Sequence, residues 1–451
     1  MERERLGSRL GFLLLSAGCA IGIGNVWKFP YMCGQYGGGA FVFIYIFFLV
    51  VLGVPVMTME FAVGRASRKS PVKLYDELAP KGSKWFLHGY AAMAGNYILM
   101  MFYTTVCGWM VQYFVEMARG SFEGKDATGV ANVFGEMLAD PVSLIIYMVI
   151  VVILGFAINS MGLQNGLEKV TKVMMLALMA IMIVLAFNSL FMDGGKAGLE
   201  FYLKPDLNKM QEIGIGKVIV GAMNQAFFTL SLGIGSMAIF GSYIGNERAL
   251  MGESVRVALL DTFVAIASGL IIFPACFAYG VQPDSGPSLI FITLPNIFNN
   301  IAMGRLWGSL FFVFMTFAAF STVLAVFENI LSCTTDLFGW SRKKGCVINA
   351  IAMIVLSLPC ILGFNVWSHI QPLGAGSGIM DLEDFIVSNL LLPGGSLIYV
   401  LFCVSRYGWG WDNFVKEANK GQGLKVANWM RTYMTFVLPI IILIILIMGL
   451  I

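Results

Sequence analysis

The sequence predicts an all-α integral membrane protein of eleven transmembrane helices, arranged as a 5+5 inverted repeat with broken helices 1 and 6. Three observations predict it. Of the 451 residues 58% are hydrophobic and only 12% charged, with a mean hydropathy of +0.81. A soluble domain carries roughly 25% charged residues. The apolar residues collect in runs of about the 20 residues that a bilayer crossing consumes. A short glycine motif also occurs twice, near Gly22 and again near Gly233, at the same depth in its run.

In chain order the apolar segments fall at 8–35, 38–64, 86–118, 142–158, 163–190, 217–245, 252–282, 303–334, 345–363, 381–407 and 425–450. The first follows Met1-Glu2-Arg3-Glu4-Arg5, lacks a small-residue cleavage site and runs on into Gly22 and Lys28, so it reads as a span and not a removed signal. The repeats would occupy 8–190 and 217–407 of a single domain covering 1–451, with 425–450 as an additional helix. Placing the N-terminus in the cytoplasm puts 21 of the 29 lysines and arginines on that side, among them Arg65, Arg68, Lys69, Arg342, Lys343 and Lys344. Eleven spans preserve that positive-inside bias, with the C-terminus outside. Longer polar connections at 119–141, 191–216 and 364–380 then lie outside. So does a stretch from Gln282 to Asn300, whose apolar run Leu289–Leu294 is too short to span and reads equally as a re-entrant or capping helix or as a packed loop.

Several functions are excluded by composition. The net charge is +3 with no basic block, which argues against nucleic-acid binding. The eight cysteines lie mostly in apolar runs without Cys-x-x-Cys spacing, and His88 and His369 are the only histidines, so neither a disulfide framework nor a histidine metal centre is expected. No organic cofactor is expected, and no nucleophile–base pair or His–Glu motif marks an enzyme.

Ala20-Ile21-Gly22-Ile23-Gly24-Asn25 lies in the first segment and Leu232-Gly233-Ile234-Gly235-Ser236 in the sixth. Each closely spaced glycine costs a helix about 1 kcal/mol. An unwound turn in a bilayer survives only where its freed carbonyls and N–H groups line a site. Carbonyls suit a cation or an ammonium, and the positive end of a half-helix suits a carboxylate. One such pair would merely permit close helix packing. Its recurrence beside Asn25 and Thr229-Leu230-Ser231 favours two broken helices holding a zwitterion.

These residues, with Val26-Trp27-Lys28-Phe29-Pro30, Gly37-Gly-Gly-Ala-Phe41, Met59-Glu-Phe-Ala-Val-Gly-Arg65 and Phe227-Phe-Thr-Leu-Ser-Leu-Gly233, resemble the neurotransmitter:sodium symporter family, most of all its bacterial amino acid transporters. The resemblance runs from about residue 3 to the last span. It implies sodium-coupled uptake by alternating access in a bacterial inner membrane. Matched by position, a first sodium site uses the Ala20 carbonyl, Asn25, Thr229, Asp261 and the substrate carboxylate. A second uses carbonyls of Gly18, Ile21 and Ala318 with the hydroxyls of Ser321 and Thr322. All are oxygen donors, as a hard cation requires.

The resemblance places the substrate carboxylate at the Ile23 and Gly24 N–H groups and Tyr103, and its ammonium at Ala20, Phe228, Thr229 and Ser231. Leu99, Tyr103, Phe228, Ile234, Thr322 and Val326 would form an uncharged pocket, with room left beside it by Gly233 and Gly235. Neutral hydrophobic L-amino acids, aliphatic and aromatic, are the substrates expected. Lys28 with Asp384 would gate the outer side, and Arg3 with Asp336, near Tyr243, the inner side. Glu60 and Gln225 would hydrogen-bond near the breaks.

Three departures stand out. Asp261 replaces an amide, and Ala265 stands where chloride-dependent members have a serine, so chloride-independent transport is expected. Leu6 replaces a tryptophan of the inner gate, and Leu176 a proline that assists unwinding of the fifth span. The alternative reading is a sodium-independent exchanger or a channel of the same architecture.

Overall fold

The computed structural model describes residues 4–192, 194–280 and 288–450, and among these the named elements are all helices. Arg3 and the polar stretch 281–287 lie outside the described residues. The first expected span is two helices, α1 (Arg9–Ala20) and α2 (Gly24–Gln35), bent by 53°. Then come α3 (Gly39–Ser67), α4 (Phe86–Arg119), α5 (Pro141–Ser160) and α6 (Leu163–Leu190). The sixth expected span, 217–245, consists of α7 (Ile215–Thr229) and α8 (Ser236–Gly241). It is followed by α9 (Leu250–Ala278), the short apolar α10 (Leu289–Asn299), α11 (Gly304–Phe338), α12 (Arg342–Leu362) and α13 (Ile379–Val404). The amphipathic α14 (Trp411–Ala418) leads to α15 (Met430–Met448).

Among the described residues nine helices are long and apolar enough to cross a membrane, and the α1–α2 pair makes a tenth. The difference from the expected eleven lies in the α7–α8 segment. Its longer piece has 15 residues and its shorter piece 6, so neither crosses by itself. Leu289–Leu294 is helical as part of α10, and Phe291 packs against Trp27, Trp109, Tyr113 and Phe134 with ring centroids 4.9–6.0 Å apart. That run is therefore helical and not an irregular packed loop.

Burial sorts the helices into two layers. About 72% of the most apolar window of α4 and of α11 is buried, against 28% for α15 and 33% for α5. The outer ring presents Ile146, Ile153, Ile351, Phe436 and Ile440 to lipid. In that solvent apolar contact alone does not drive helices together, so the interior relies on close packing and hydrogen bonds. A Cβ on Gly64 would stand 1.8 Å from the Ala238 carbonyl oxygen, and one on Gly241 2.4 Å from that of Phe61. Backbone of α3 therefore lies directly on backbone of α8.

Proline explains most of the irregular turns. Wide π turns at Gly24–Lys28, Leu49–Gly53, Leu289–Thr293, Ile386–Leu391 and Tyr433–Val437 immediately precede helical segments with Pro30, Pro55, Pro295, Pro393 and Pro439 at the second position. A proline has no N–H for the carbonyl four residues back, and its ring collides with that carbonyl. The Val51 carbonyl, orphaned in this way by Pro55, accepts the Tyr433 hydroxyl at 2.7 Å. One proline thus ties α15 to α3.

Arg65 closes α3 without exposure. Its Nε donates to Glu417 Oε1 at 2.7 Å and its Nη1 to the Arg248 carbonyl at 2.8 Å, holding α14 and the loop before α9 beneath the helix. The side chains are 0% and 7% exposed. Removing one partner of such a pair leaves a buried charge unpaired, at a cost of about 3–5 kcal/mol. Glu417→Ala is therefore expected to lower the melting temperature of the purified protein clearly. Glu77→Ala, at an exposed pair with Lys69 spanning 3.9 Å, should leave it nearly unchanged.

Candidate functional site

The two breaks supply backbone groups that no helix satisfies. After Ala20 the chain leaves helical geometry at Ile21 (φ −72°, ψ 102°), and α2 resumes at Gly24. After Thr229 three residues take positive φ, Ser231 at 51°, Gly233 at 97° and Gly235 at 77°, before α8 begins. Side chains of neighbouring helices take up the freed groups. Ile23 N–H donates to the Tyr103 hydroxyl at 2.9 Å, and Gly22 N–H to Asn25 Oδ1 at 3.1 Å. Gln225 Nε2 donates to the Gly24 carbonyl at 2.8 Å, and Gly233 N–H to Glu60 Oε1 at 2.6 Å. The expected placement of Glu60 and Gln225 near the breaks is what the structure has. Gly22 is required by crowding: a Cβ there would lie 2.1 Å from the Tyr103 hydroxyl and 2.4 Å from Thr322 Oγ1.

Two clusters of oxygens form around these turns. In one, Ser321 Oγ reaches the carbonyls of Gly18 at 2.9 Å, Ile21 at 3.2 Å and Ala318 at 2.9 Å. Thr322 Oγ1 lies 3.3 Å from the carbonyls of Gly18 and Ile21. All five residues named for the second cation site thus meet at one point. In the other, the fully buried Asp261 carboxylate accepts Asn25 Nδ2 at 2.8 Å, Thr229 Oγ1 at 3.2 Å and the Tyr45 hydroxyl at 3.3 Å. Asn25, Thr229 and Asp261 are brought together as expected. Turning over the Asn25 amide would present its oxygen to a cation held by Asp261.

Ala20, named for the first cation site and for the substrate, lines a cavity of about 10 Å³ bounded also by Gly24, Leu99, Tyr103, Phe228, Ser231 and Thr322. Beyond Tyr103 and Phe228 opens a vestibule of about 270 Å³. These two rings line both spaces and form the partition between them. Lys28 stands at the vestibule, 3.4 Å from Asp384 and 3.8 Å above the Phe228 ring, with Ser388 Oγ 3.2 Å away. The Lys28–Asp384 pair expected from the sequence is present, partly exposed, and Lys28 also touches the Phe228 ring of the partition. Two members of the expected pocket, Ile234 and Val326, are fully buried but do not line the small cavity. Nor do Gly233 and Gly235 leave room there. A Cβ on Gly233 would meet the Leu392 carbonyl at 2.1 Å and one on Gly235 the Pro71 ring at 2.5 Å, both on other parts of the bundle.

At the far end from the vestibule Asp336 and Tyr243 stand in two networks, while Arg3, the expected partner of Asp336, lies outside the described residues. Asp336 Oδ2 accepts the Ser70 N–H at 2.8 Å, but Tyr243 turns to Glu328, its hydroxyl donating to Oε1 at 2.6 Å, with Ser332 Oγ 2.9 Å away. Arg342 grips both Glu328 oxygens, at 3.1 and 2.5 Å, and donates to the Asn159 carbonyl at 2.6 Å. Leu6, in place of the expected tryptophan, donates its backbone N–H to the Tyr243 carbonyl at 3.4 Å. Residues just before α1 are fastened to α6, since Gly7 N–H and Ser8 Oγ donate to Glu168 at 2.7 and 2.8 Å. α6 opens with a π turn at Leu163–Glu168 and runs helical past Leu176. Its irregularity sits before Leu176, the position where the family pattern has a proline.

Tyr45 and Glu328 join these networks with no role expected from the sequence, as do Asn96 and Asn329, whose amides reach the Ile234 carbonyl at 2.8 and 3.3 Å, while Arg342 was expected only as a cytoplasmic-side charge. For Glu328-Asn329 a signal was available, as it is for Asp261 within Leu259-Leu260-Asp261-Thr262-Phe263: a polar residue inside an apolar segment is costly and marks function. Tyr45 carried no such mark, because a tyrosine among apolar residues is ordinary.

Known proteins resemble this chain in sequence, and one of them in fold. A sequence model of the sodium:neurotransmitter symporter family matches residues 3–126 and 128–451. An uncharacterized sodium-dependent transporter of Bacillus subtilis (strain 168), YhdH, is 33% identical over 88% of this chain and 86% of its own length. One from Methanocaldococcus jannaschii is 31% identical over 98% of this chain and 89% of its own. The crystal structure of MhsT in complex with L-phenylalanine superposes with a TM-score of 0.89 at 34% identity, covering 99% of this chain and 100% of that one. The fold is therefore the one MhsT has, in a multi-pass membrane transporter and not an enzyme. This chain belongs to the sodium:neurotransmitter symporter family, whose members move small molecules with sodium.

Proposed function

We propose that this protein imports neutral hydrophobic L-amino acids with sodium, by alternating access and without a requirement for chloride. The observation that carries the reading is the space between the breaks, which has unwound backbone beside it and no charged side chain on its wall. The substrate carboxylate would displace the Tyr103 hydroxyl from the Ile23 N–H, and the ammonium would meet the carbonyls of Ala20, Phe228 and Thr229 with the Ser231 hydroxyl. An uncharged wall discriminates aliphatic from aromatic side chains weakly, by about 1–3 kcal/mol per methylene. The likeness to MhsT, crystallised with L-phenylalanine, supports the same substrate class.

Sodium would occupy both oxygen clusters, one at Asn25, Thr229 and Asp261, the other at Gly18, Ile21, Ala318, Ser321 and Thr322. Asp261 supplies there the negative charge that an anion would otherwise bring. The N-terminus faces the cytoplasm of a bacterial inner membrane, so the Lys28–Asp384 vestibule is the outer one.

The test is uptake of labelled phenylalanine and leucine into proteoliposomes under an inward sodium gradient. Accumulation should vanish when choline replaces sodium and persist when gluconate replaces chloride. Sodium-insensitive exchange would favour the exchanger reading, and collapse in gluconate would refute the role given to Asp261.

A further inference from the structure

Away from the cation and substrate clusters, α14 and the start of α15 enclose a second polar feature. It is a cavity of about 470 Å³ lined by Trp411, Asp412, Val415, Lys416, Asn428 and Arg431. Asp412, Val415 and Lys416 stand three and four positions apart, so α14 turns one face toward it. The other face is turned to the bundle, where Phe414, Glu417 and Ala418 are buried and Glu417 holds Arg65. α14 is thereby fixed at the end of α3 that carries Arg65, Arg68 and Lys69, the side the charge bias assigns to the cytoplasm.

The charges around this cavity are uncommitted. Among the described residues neither Lys416 nor Arg431 enters an ion pair, although Lys420 one turn further on is paired with Glu417 at 2.5 Å. Asp412 has no basic partner either, and all three side chains are exposed. Two cations against one carboxylate leave one positive charge in excess. The position along the span is equally informative. Arg431 is the second residue of α15, and Trp429 just before it is 73% exposed. A tryptophan and a basic residue at the end of a span mark the headgroup level of a bilayer. Further along, α15 exposes Phe436, Ile440 and Ile444, an apolar wall suited to acyl chains.

We propose that this cavity binds the headgroup of an anionic phospholipid of the cytoplasmic leaflet, a single phosphodiester of the phosphatidylglycerol type. Lys416 and Arg431 hold the phosphate oxygens by charge-assisted hydrogen bonds, and the arginine fork can take two of them at once. Asp412 accepts from the hydroxyls of a glycerol headgroup, as does the Asn428 side-chain oxygen; a choline headgroup presents no such donor. The excess positive charge matches the one negative charge of that lipid, whereas a zwitterionic headgroup leaves it unbalanced. Basic pockets at the cytoplasmic ends of spans are suited to such headgroups. The bound lipid bridges α14 and α15, beside the buried tie between Glu417 and Arg65.

The experiment titrates the purified protein in neutral detergent with phosphatidylglycerol, phosphatidylethanolamine or phosphatidylcholine and counts bound lipids by native mass spectrometry. Wild type is expected to take up one phosphatidylglycerol well before either zwitterionic lipid. Lys416→Gln and Arg431→Gln should each weaken that first binding about fivefold, the effect of one basic side chain near an anionic headgroup. The double variant Lys81→Gln with Lys84→Gln, which removes two exposed charges between α3 and α4, should leave it unchanged. Equal affinity of the wild type for all three lipids, or full affinity for phosphatidylglycerol in both single variants, would overturn the site. Displacement of the lipid by inorganic phosphate would overturn the lipid assignment in favour of a free-anion site. Either single variant decides the question if the other does not fold. The readout needs no transport, so it stands or falls separately from the proposed function.

Discussion

Replacing Asp261 with asparagine is expected to raise the sodium concentration for half-maximal uptake by at least tenfold and to make the rate depend on chloride. The carboxylate is fully buried, with no basic side chain among its hydrogen-bond partners Asn25, Thr229 and Tyr45. A cation placed against it gains on the order of 4 kcal/mol of attraction at 4 Å and an effective dielectric constant of 20. The amide keeps the shape and an oxygen, so much of the coordination survives while the charge does not. Tenfold corresponds to about 1.4 kcal/mol, a modest part of that attraction. Sodium titrations of uptake in chloride and in gluconate give the readout. Equal half-saturation in the two proteins would remove Asp261 from the site, and a chloride-indifferent variant would remove its role as the fixed anion.

Gly233→Ala is expected to abolish transport and to lower the melting temperature. Gly233 sits at φ 97°, where an L side chain is strained by roughly 1–3 kcal/mol. Its Cβ would also stand 2.1 Å from the Leu392 carbonyl oxygen, and a Cβ on the opposing Gly395 would lie equally close to the Gly233 carbonyl. Backbone cannot swing aside as a flexible side chain can, so the unwound turn and α13 must separate. α13 carries Asp384, and the displacement reaches the Lys28 pair as well as the site. Gly216→Ala is the control, since nothing lies within 4 Å of the added carbon and helix propensity favours the change. Wild-type uptake by Gly233→Ala would show that this contact is dispensable.

Much of the site is legible in the amino-acid sequence. Glycine pairs beside Asn25 and Thr229 stand out because unwound backbone is costly in lipid, and Asp261 stands out because a carboxylate is. Ser321 and Thr322 are legible through resemblance alone, hydroxyls in membrane helices being commonplace. What stays hidden is reciprocal. Tyr45, Asn96 and Asn329 matter through the atom each one reaches, which lies tens to hundreds of residues away.

Resemblance placed Asp261 beside the breaks; the residues on their own carry the helical class, the approximate span limits, the two breaks and a carboxylate within an apolar run. Each of these follows from local chemistry: hydropathy over a bilayer's thickness, glycine's cost in a helix, and the penalty for burying a charge. Tertiary structure alone decided that Tyr243 pairs with Glu328 beneath Arg342, that Gly233 faces α13 instead of the pocket, and that the Ile234 carbonyl is held from two helices. Those outcomes depend on which faces meet when helices pack in lipid, where a hydrogen bond or a missing Cβ selects the contact and hydropathy does not.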